Sequence, residues 1–250
     1  MTALRRVVLL CAVVALWAMV GCSSAQESSS TTTPDAGGPA FADVEPDDMS
    51  IGIVAGGEAL PLVVADRSGL FREAGVIVTI TRFTTPAERD AALAAGTIDA
   101  VVGTLQDAAA LEAAGTPVAM ISVLADPARG LESTAAPAAG ADTASFGLSG
   151  ERAYLIVSDY YVALPAGLLG ARAVLEASDG AVVRIQADPA AHQTVLAEIV
   201  GADVAVAGGA YPPSLAPGPT EVEQQLASLV AAGQGLGDIT AADLVLDIGR

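Results

Sequence analysis

The sequence predicts an α/β protein of two lobes, with mostly parallel sheets flanked by helices and with the second lobe reduced. Three observations predict it. From residue 49 onward short apolar runs alternate with helical patterns, the order that pairs successive strands in parallel and lays helices on both faces of a sheet. The alternation comes in two blocks, parted by the Ala-, Gly- and Pro-rich stretch 126–145. Each block sets a glycine and an aspartate ahead of a short apolar run: Gly96 and Asp99 before Val101, Gly201 and Asp203 before Val204. Finally, the chain is 52% hydrophobic but only 4% aromatic, so its core is built from Ala, Val, Leu and Ile.

In the first block, residues 50–55 form an apolar strand that breaks at Gly56 and Gly57. Residues 60–71 follow as a helix, with Pro61 in the first turn and Leu60, Val63, Val64 and Phe71 on one face. Residues 76–80 are a second strand. Thr85 followed three residues later by Glu88 has capping-box spacing and opens a helix that runs through 91–95. Residues 98–102 are a third strand, 104–114 a third helix and 117–124 a fourth strand. The second block offers strands at 153–157, 181–185 and 204–207, and helices from 164 to 176 and from 188 to 200. Beyond the Pro- and Gly-rich run at 211–219, residues 221–232 and 241–248 have the pattern of terminal helices. The expected organisation is therefore lobe I at 49–125, a hinge and lobe II at 126–213, and C-terminal helices at 214–250 that return to lobe I.

The first residues carry an address. Arg5 and Arg6 precede an unbroken apolar run from Val7 to Val20, too short to span a bilayer comfortably, and Gly21 and Cys22 close it. This resembles the lipobox of bacterial lipoproteins, which implies a signal peptide at 1–21, cleavage before Cys22 and acyl chains (palmitate) on that cysteine. Residues 22–48 are rich in Ser, Thr, Gly and Pro and read as a disordered tether. The expected location is the extracytoplasmic face of the cell membrane, held there by lipid.

The formal charge is −18, and loss of Arg5 and Arg6 would leave 9 arginines against 29 acids, or −20, with no lysine at all. Such a chain is repelled by nucleic acid and by anionic headgroups. The only cysteines are Cys11 and Cys22, so the folded body holds no disulfide, no thiolate metal site and no cysteine nucleophile. The single histidine, His192, has no second ligand beside it and sits at a helix start, where a capping or surface role is the ordinary one. No metal and no cofactor is expected.

Ala65 with Gly69-Leu70-Phe71 and Glu73, then the run Leu93 to Ala100 with its Gly96 and Asp99, then Glu112 to Val118, resemble the solute-binding proteins of ABC importers, closest to the group for nitrate, sulfonates, taurine and thiamine-pyrimidine precursors. The resemblance covers about 51–124 well and is weaker beyond. It implies a two-lobed periplasmic-binding-protein fold, a small organic solute held in an interlobe cleft, partnership with a permease and its ATPase, action as a monomer, and no catalysis.

In such a fold the cleft lies at the carboxyl ends of the strands, where loops lead into helices. The candidate ligand-binding residues are Gly57, Glu58, Thr84, Thr85, Thr104, Asp159, Tyr160, Tyr161 and Tyr211. Glycines admit a ligand close to the backbone, hydroxyls beside free helix N–H groups hold oxygens, and loop tyrosines stack on rings. Ordinary N-capping by the three threonines is the competing reading. Arg82, Arg89 and Arg152 are the cations near these loops and read as surface residues, so a neutral or nitrogen-bearing solute is favoured over a small strong anion. Two other classes stay open: an enzyme on the same fold, disfavoured by the lack of paired carboxylates at a recognisable spacing, and a degenerate lipoprotein that docks to a membrane partner. A cleft lined by Tyr and Thr separates the binder from the docking protein, whose cleft would be filled by aliphatic side chains.

Overall fold

The computed structural model describes residues 44–133, 143–213, 216–234 and 238–249; the expected signal peptide, the expected lipidation site Cys22 and most of the expected tether lie outside the described residues. Its strands are β1 (Met49–Ile53), β2 (Val78–Arg82), β3 (Ala100–Gly103), β4 (Val118–Ala125) and β5 (Ala153–Ser158). Its helices are α1 (Leu60–Arg67), α2 (Leu70–Glu73), α3 (Pro86–Ala94), α4 (Leu105–Ala113), α5 (Pro127–Ser133), α6 (Asp159–Val162), α7 (Pro165–Ala187), α8 (Gln193–Val200), α9 (Pro219–Ala231) and α10 (Ala241–Leu244). A 3₁₀ turn, Gly57–Ala59, leads into α1.

The five strands form one sheet in the order β2-β1-β3-β5-β4. β1 runs parallel to β2 and to β3, with Ile51 opposite Ile80 on one side and Ala100 on the other. β5 is antiparallel to both its neighbours, with Val101 opposite Ile156 and Met120 opposite Ile156 across the other ladder. β4 therefore points the same way as β1 to β3, and β5 alone is reversed.

Side chains alternate across each strand, so the sheet has two cores. On one face Ile51, Ile53, Val102, Leu155 and Val157 meet Leu60, Val64, Val174 and Leu196 from α1, α7 and α8. On the other, Val101, Met120, Tyr154 and Ile156 meet Leu93, Leu105, Val222 and Leu244 from α3, α4, α9 and α10. Every residue of β4 is buried, as is β5 up to Val157. The outer edge of β4 is closed by Leu246, whose N–H donates to the Met120 carbonyl at 3.2 Å.

The α/β fold with flanking helices is as the sequence implies, and the reduction of the second lobe goes further than its pattern suggested. Among the described residues there is one sheet. Residues 126–213, expected as hinge and lobe II, give their one strand to the sheet of residues 49–125, and the remainder packs on it as helices. The expected strand at 181–185 is the last part of the 23-residue α7. Its buried positions, Gly167, Gly170, Ala171, Ala173, Val174, Ala177, Ser178, Ala181, Val182 and Ile185, recur at three and four residues, a helical period. Within the helix Gly180 is a packing residue, since a Cβ there would stand 3.3 Å from the Leu70 side chain of α2. The expected strand at 204–207 joins no sheet. Val204 and Val206 pack on the core from an irregular segment tied down by Ala205 N–H to the Ser145 carbonyl at 3.3 Å. The C-terminal helices α9 and α10 do pack against α4, and α10 also against β4.

Gly170 shows how tightly α7 seats. A Cβ there would run into the Asp47 carbonyl and the Tyr161 hydroxyl, which are themselves hydrogen-bonded at 2.8 Å. Gly170→Ala is expected to cost about 1–3 kcal/mol, as overpacking does. Urea unfolding checks this, and an unchanged midpoint would refute the packing argument.

Candidate functional site

Because β5 is the one reversed strand, the carboxyl edge of the sheet gathers the loops after β1, β2, β3 and β4 together with the residues just before β5. Ser158–Tyr161, just after β5, lie at the opposite edge. There Ser158 N–H donates to the Asp99 carbonyl at 2.8 Å and Asp159 N–H to the Pro117 carbonyl at 3.1 Å, both ahead of strands that start at that edge. The nine candidate residues therefore do not form one cluster. Asp159, Tyr160 and Tyr161 were placed in the cleft on the assumption that their strand ran parallel. Tyr161 is buried and its hydroxyl donates to the Asp47 carbonyl; burial, with Asp47, Asp99 and Asp48 adding to it, pushes that phenol up. Tyr160 is 80% exposed.

At the carboxyl edge the loop after β1 is filled by the chain itself. Gly57 N–H donates to the Gly147 carbonyl at 2.7 Å, and the Tyr211 hydroxyl donates to the Gly57 carbonyl at 3.0 Å. A Cβ at Gly57 would meet the Gly147 carbonyl at 2.9 Å and Leu196 at 3.2 Å, so glycine here serves the chain's own close approach. The Glu58 carboxylate accepts from Ser149 N–H. Tyr211 is fully buried, and burial first, the Glu58 carboxylate second, push its phenol up. Gly57, Glu58 and Tyr211 are thus brought together as a plug, with Phe146, Leu196 and Ala210 buried in the same core.

Two of the three threonines, Thr85 and Thr104, are N-caps, and Thr84 stands just ahead of Thr85. Thr85 Oγ accepts from Glu88 N–H at 3.2 Å, while the Glu88 carboxylate accepts from Thr84 N–H and Thr85 N–H at 3.2 and 3.3 Å; all of these residues are exposed. Thr104 Oγ accepts from Asp107 N–H at 3.2 Å, and Asp107 Oδ2 accepts from Thr104 N–H at 2.9 Å.

Two arginines read as surface residues are not. Arg89 is 1% exposed. Its Nη1 donates to the Val102 carbonyl at 2.6 Å, its Nε to Asp90 Oδ1 at 2.8 Å, and its Nη2 lies 3.1 Å from Asp107 Oδ2. Through Asp107 the guanidinium ties α3 to the cap of α4. Burial raises the Asp90 carboxyl, against the pull of Arg89. The sequence did hold a signal: Arg89 lies four residues before Leu93, on the buried face of α3. Arg152, just before β5, donates from Nη2 to Asp126 Oδ2 at 2.8 Å and pairs through Nη1 with Glu221. Burial works against its charge, but Glu221 and Asp126 outweigh it and hold the guanidinium protonated.

Next to Arg152 a cavity of about 300 Å³ opens between the start of α4, the start of β5 and α9, with Thr104, Gln106, Tyr154, Gln225 and Leu229 among its walls. Of the nine candidates only Thr104 lines it.

The fold is similar to that of periplasmic binding proteins, with one mixed sheet among the described residues. Residues 42–145 match the model of the NMT1-like family. Among solved structures the chain is similar to the alkanesulfonate-binding protein SsuA from Xanthomonas axonopodis pv. citri bound to MOPS (16% identity, 80% of this chain and 98% of that one, TM-score 0.57). It is also similar to the periplasmic aliphatic sulphonate binding protein SsuA from Escherichia coli (14%, 82% and 94%, 0.58). A third neighbour is the ligand-binding component of an ABC-type import system from Staphylococcus aureus (11%, 80% and 97%, 0.53). No curated protein matches the chain in sequence. The motifs read in residues 51–124 fall within the stretch that the NMT1-like model matches, and the likeness in fold to solute-binding proteins extends over most of the chain.

Arg89→Leu leaves Asp107 and Asp90 without their cation. Because both carboxylates are about a quarter exposed, the cost is expected at about 2–3 kcal/mol, below that of a fully buried pair. Arg89→Lys, which cannot span three acceptors, is expected to recover less than half of it in chemical denaturation. Tyr211→Phe is expected to cost about 1 kcal/mol through the unpaired Gly57 carbonyl; full stability in that variant would show that the plug contributes nothing.

Proposed function

We propose that the chain is the extracytoplasmic, lipid-anchored solute-binding component of an ABC importer, capturing a small organic solute and delivering it to a permease without catalysis. The observation that carries this reading is the fold likeness to sulfonate-binding proteins over about four fifths of the chain, on a chain whose first residues have the layout of a lipoprotein leader. With one sheet, capture rests on the carboxyl edge of a single lobe and not on two lobes closing over the solute. A solute at a hundred times its Kd would stabilise the protein by about 2.7 kcal/mol. For a body of this size that is roughly 5–10 °C in Tm, with almost no change in radius of gyration. A solute library that leaves Tm unmoved would overturn the proposal. The anchor is tested separately: Cys22→Ser is expected to move the protein from the membrane to the soluble extracytoplasmic fraction.

One observation favours a second reading. The loop after β1 is closed by Gly147, Leu196 and Tyr211, as expected of a lipoprotein that docks to a membrane partner and holds no solute. Solute-independent cross-linking to a membrane protein, together with a flat thermal-shift screen, would select it.

A further inference from the structure

The two edges of the sheet differ. The outer edge of β4 is closed by the C-terminal residues through Leu246 N–H, whereas β2, at the other end of the strand order, is paired on one side only, with β1. Met49 N–H donates to the Ile77 carbonyl and Phe83 N–H to the Ile53 carbonyl, so Ile77, Thr79, Thr81 and Phe83 turn their backbone groups toward β1. Successive residues of a strand point opposite ways, and Val78, Ile80 and Arg82 therefore turn N–H and C=O outward, where no backbone partner meets them among the described residues. Open edges in natural sheets are blunted by lysine, proline or a bulge. This one has none of them: the ladder to β1 runs from Met49 and Val78 to Ile53 and Arg82 without a register shift, residues 78–82 hold no proline, and the chain has no lysine.

The strand is complementary to itself. Antiparallel pairing about a two-fold axis at Ile80 is the one register that pairs all three outward residues, Ile80 with itself and Val78 with Arg82. On the opposite face it sets Thr79 against Thr81 and Ile77 against Phe83, so the cross-strand pairs are apolar at both ends and hydroxyl in the middle, combinations that stabilise antiparallel strands. It also covers Ile77, which is 62% exposed. Residues 74–87 hold Arg82 and no acid, in a chain with 29 acids, so along this edge no carboxylate of one strand faces a carboxylate of the other. We propose that the open edge of β2 pairs with the same strand of a second copy of this chain, antiparallel about Ile80, joining two five-stranded sheets into one in place of the monomer that the family resemblance implies. One strand pair is a small interface, so the dimer is a weak one. It stands whether or not the chain holds a solute.

Sedimentation velocity of the full-length chain in density-matched detergent tests it, and a concentration-dependent monomer–dimer equilibrium is expected. Thr79 is exposed and Thr81 half-buried, and neither belongs to the two cores, so both can be changed without disturbing the fold. Thr79→Lys with Thr81→Lys sets lysine against lysine twice about the axis and is expected to weaken the dimer about tenfold. Thr79→Glu with Thr81→Lys sets each introduced glutamate against an introduced lysine and is expected to restore the dimer to at least its original strength. Unchanged circular-dichroism melts confirm that both variants fold. A chain still monomeric at about 1 mM overturns the inference, and with it any second copy on this edge. Association that the double-lysine variant leaves intact overturns it too, since the copies then share a micelle or meet elsewhere. So does a glutamate–lysine variant as weak as the double-lysine one, because the proposed register alone sets the two introduced charges of opposite sign against each other.

Discussion

One reversed strand governs the arrangement of this molecule. β5 is the only link between β3 and β4, and its ladders to both are antiparallel. Remove it and β4, with the α9 and α10 that pack around it, loses its attachment to β1 and β3. Its direction also decides which loops share an edge. Entering at the carboxyl edge, it sets Glu151 and Arg152 beside Thr104 and the end of β4, and leaving at the other edge it carries Asp159 and the two tyrosines away from them. The buried ion pairs follow from that placement, since Arg152 reaches Asp126 and Glu221 only because the three elements bearing them converge at the start of β5.

The direction of β5 could not be read from its residues. Ala153 to Val157 is apolar at every position, and a strand buried on both faces has the same composition whichever way it runs. Strands β1 to β4 and the helices between them were legible because each apolar run is bounded by glycine, proline or a capping residue; Thr85 with Glu88 is a capping box as its spacing implied, and the structure adds a second at Thr104 with Asp107. α7 was misread in its second half for the opposite reason. Gly180 is punctuation in a sequence and a contact surface in the fold, and only the presence of Leu70 from α2 distinguishes the two. Arg89 was missed because a charged residue is ordinarily exposed, and nothing local announces that Val102, Asp90 and Asp107 will surround it.

The candidate site was legible in part. The glycine and glutamate after β1 are at the edge where solute-binding folds hold their ligands, yet the chain's own residues 146–149 and Tyr211 satisfy their polar groups. A filled loop of this kind follows from a link between β4 and β5 that spans only residues 126–152 and returns to its own sheet. The hydrogen bonds a solute would make at the first loop are made internally, and the cavity that stays open lies at the start of α4 and beside Arg152.

That displacement changes the sign of what can bind. Most described arginines around the carboxyl edge are committed: Arg67 to Glu198, Arg82 to the Glu198 carbonyl, Arg89 to Asp90 and Asp107, Arg152 to Asp126 and Glu221, while Arg129 is 54% exposed and lies 3.9 Å from Asp126. A sulfonate or nitrate would have to take one of these cations from a carboxylate already paired with it, exchanging one ion pair for another and leaving an acid unpaired in a chain that already carries a surplus of 18 negative charges. Such an exchange replaces one ion pair by another, so its net gain is small. Likeness in fold to proteins that hold sulfonates therefore does not carry their ligand charge with it; the pairing of the cations decides that.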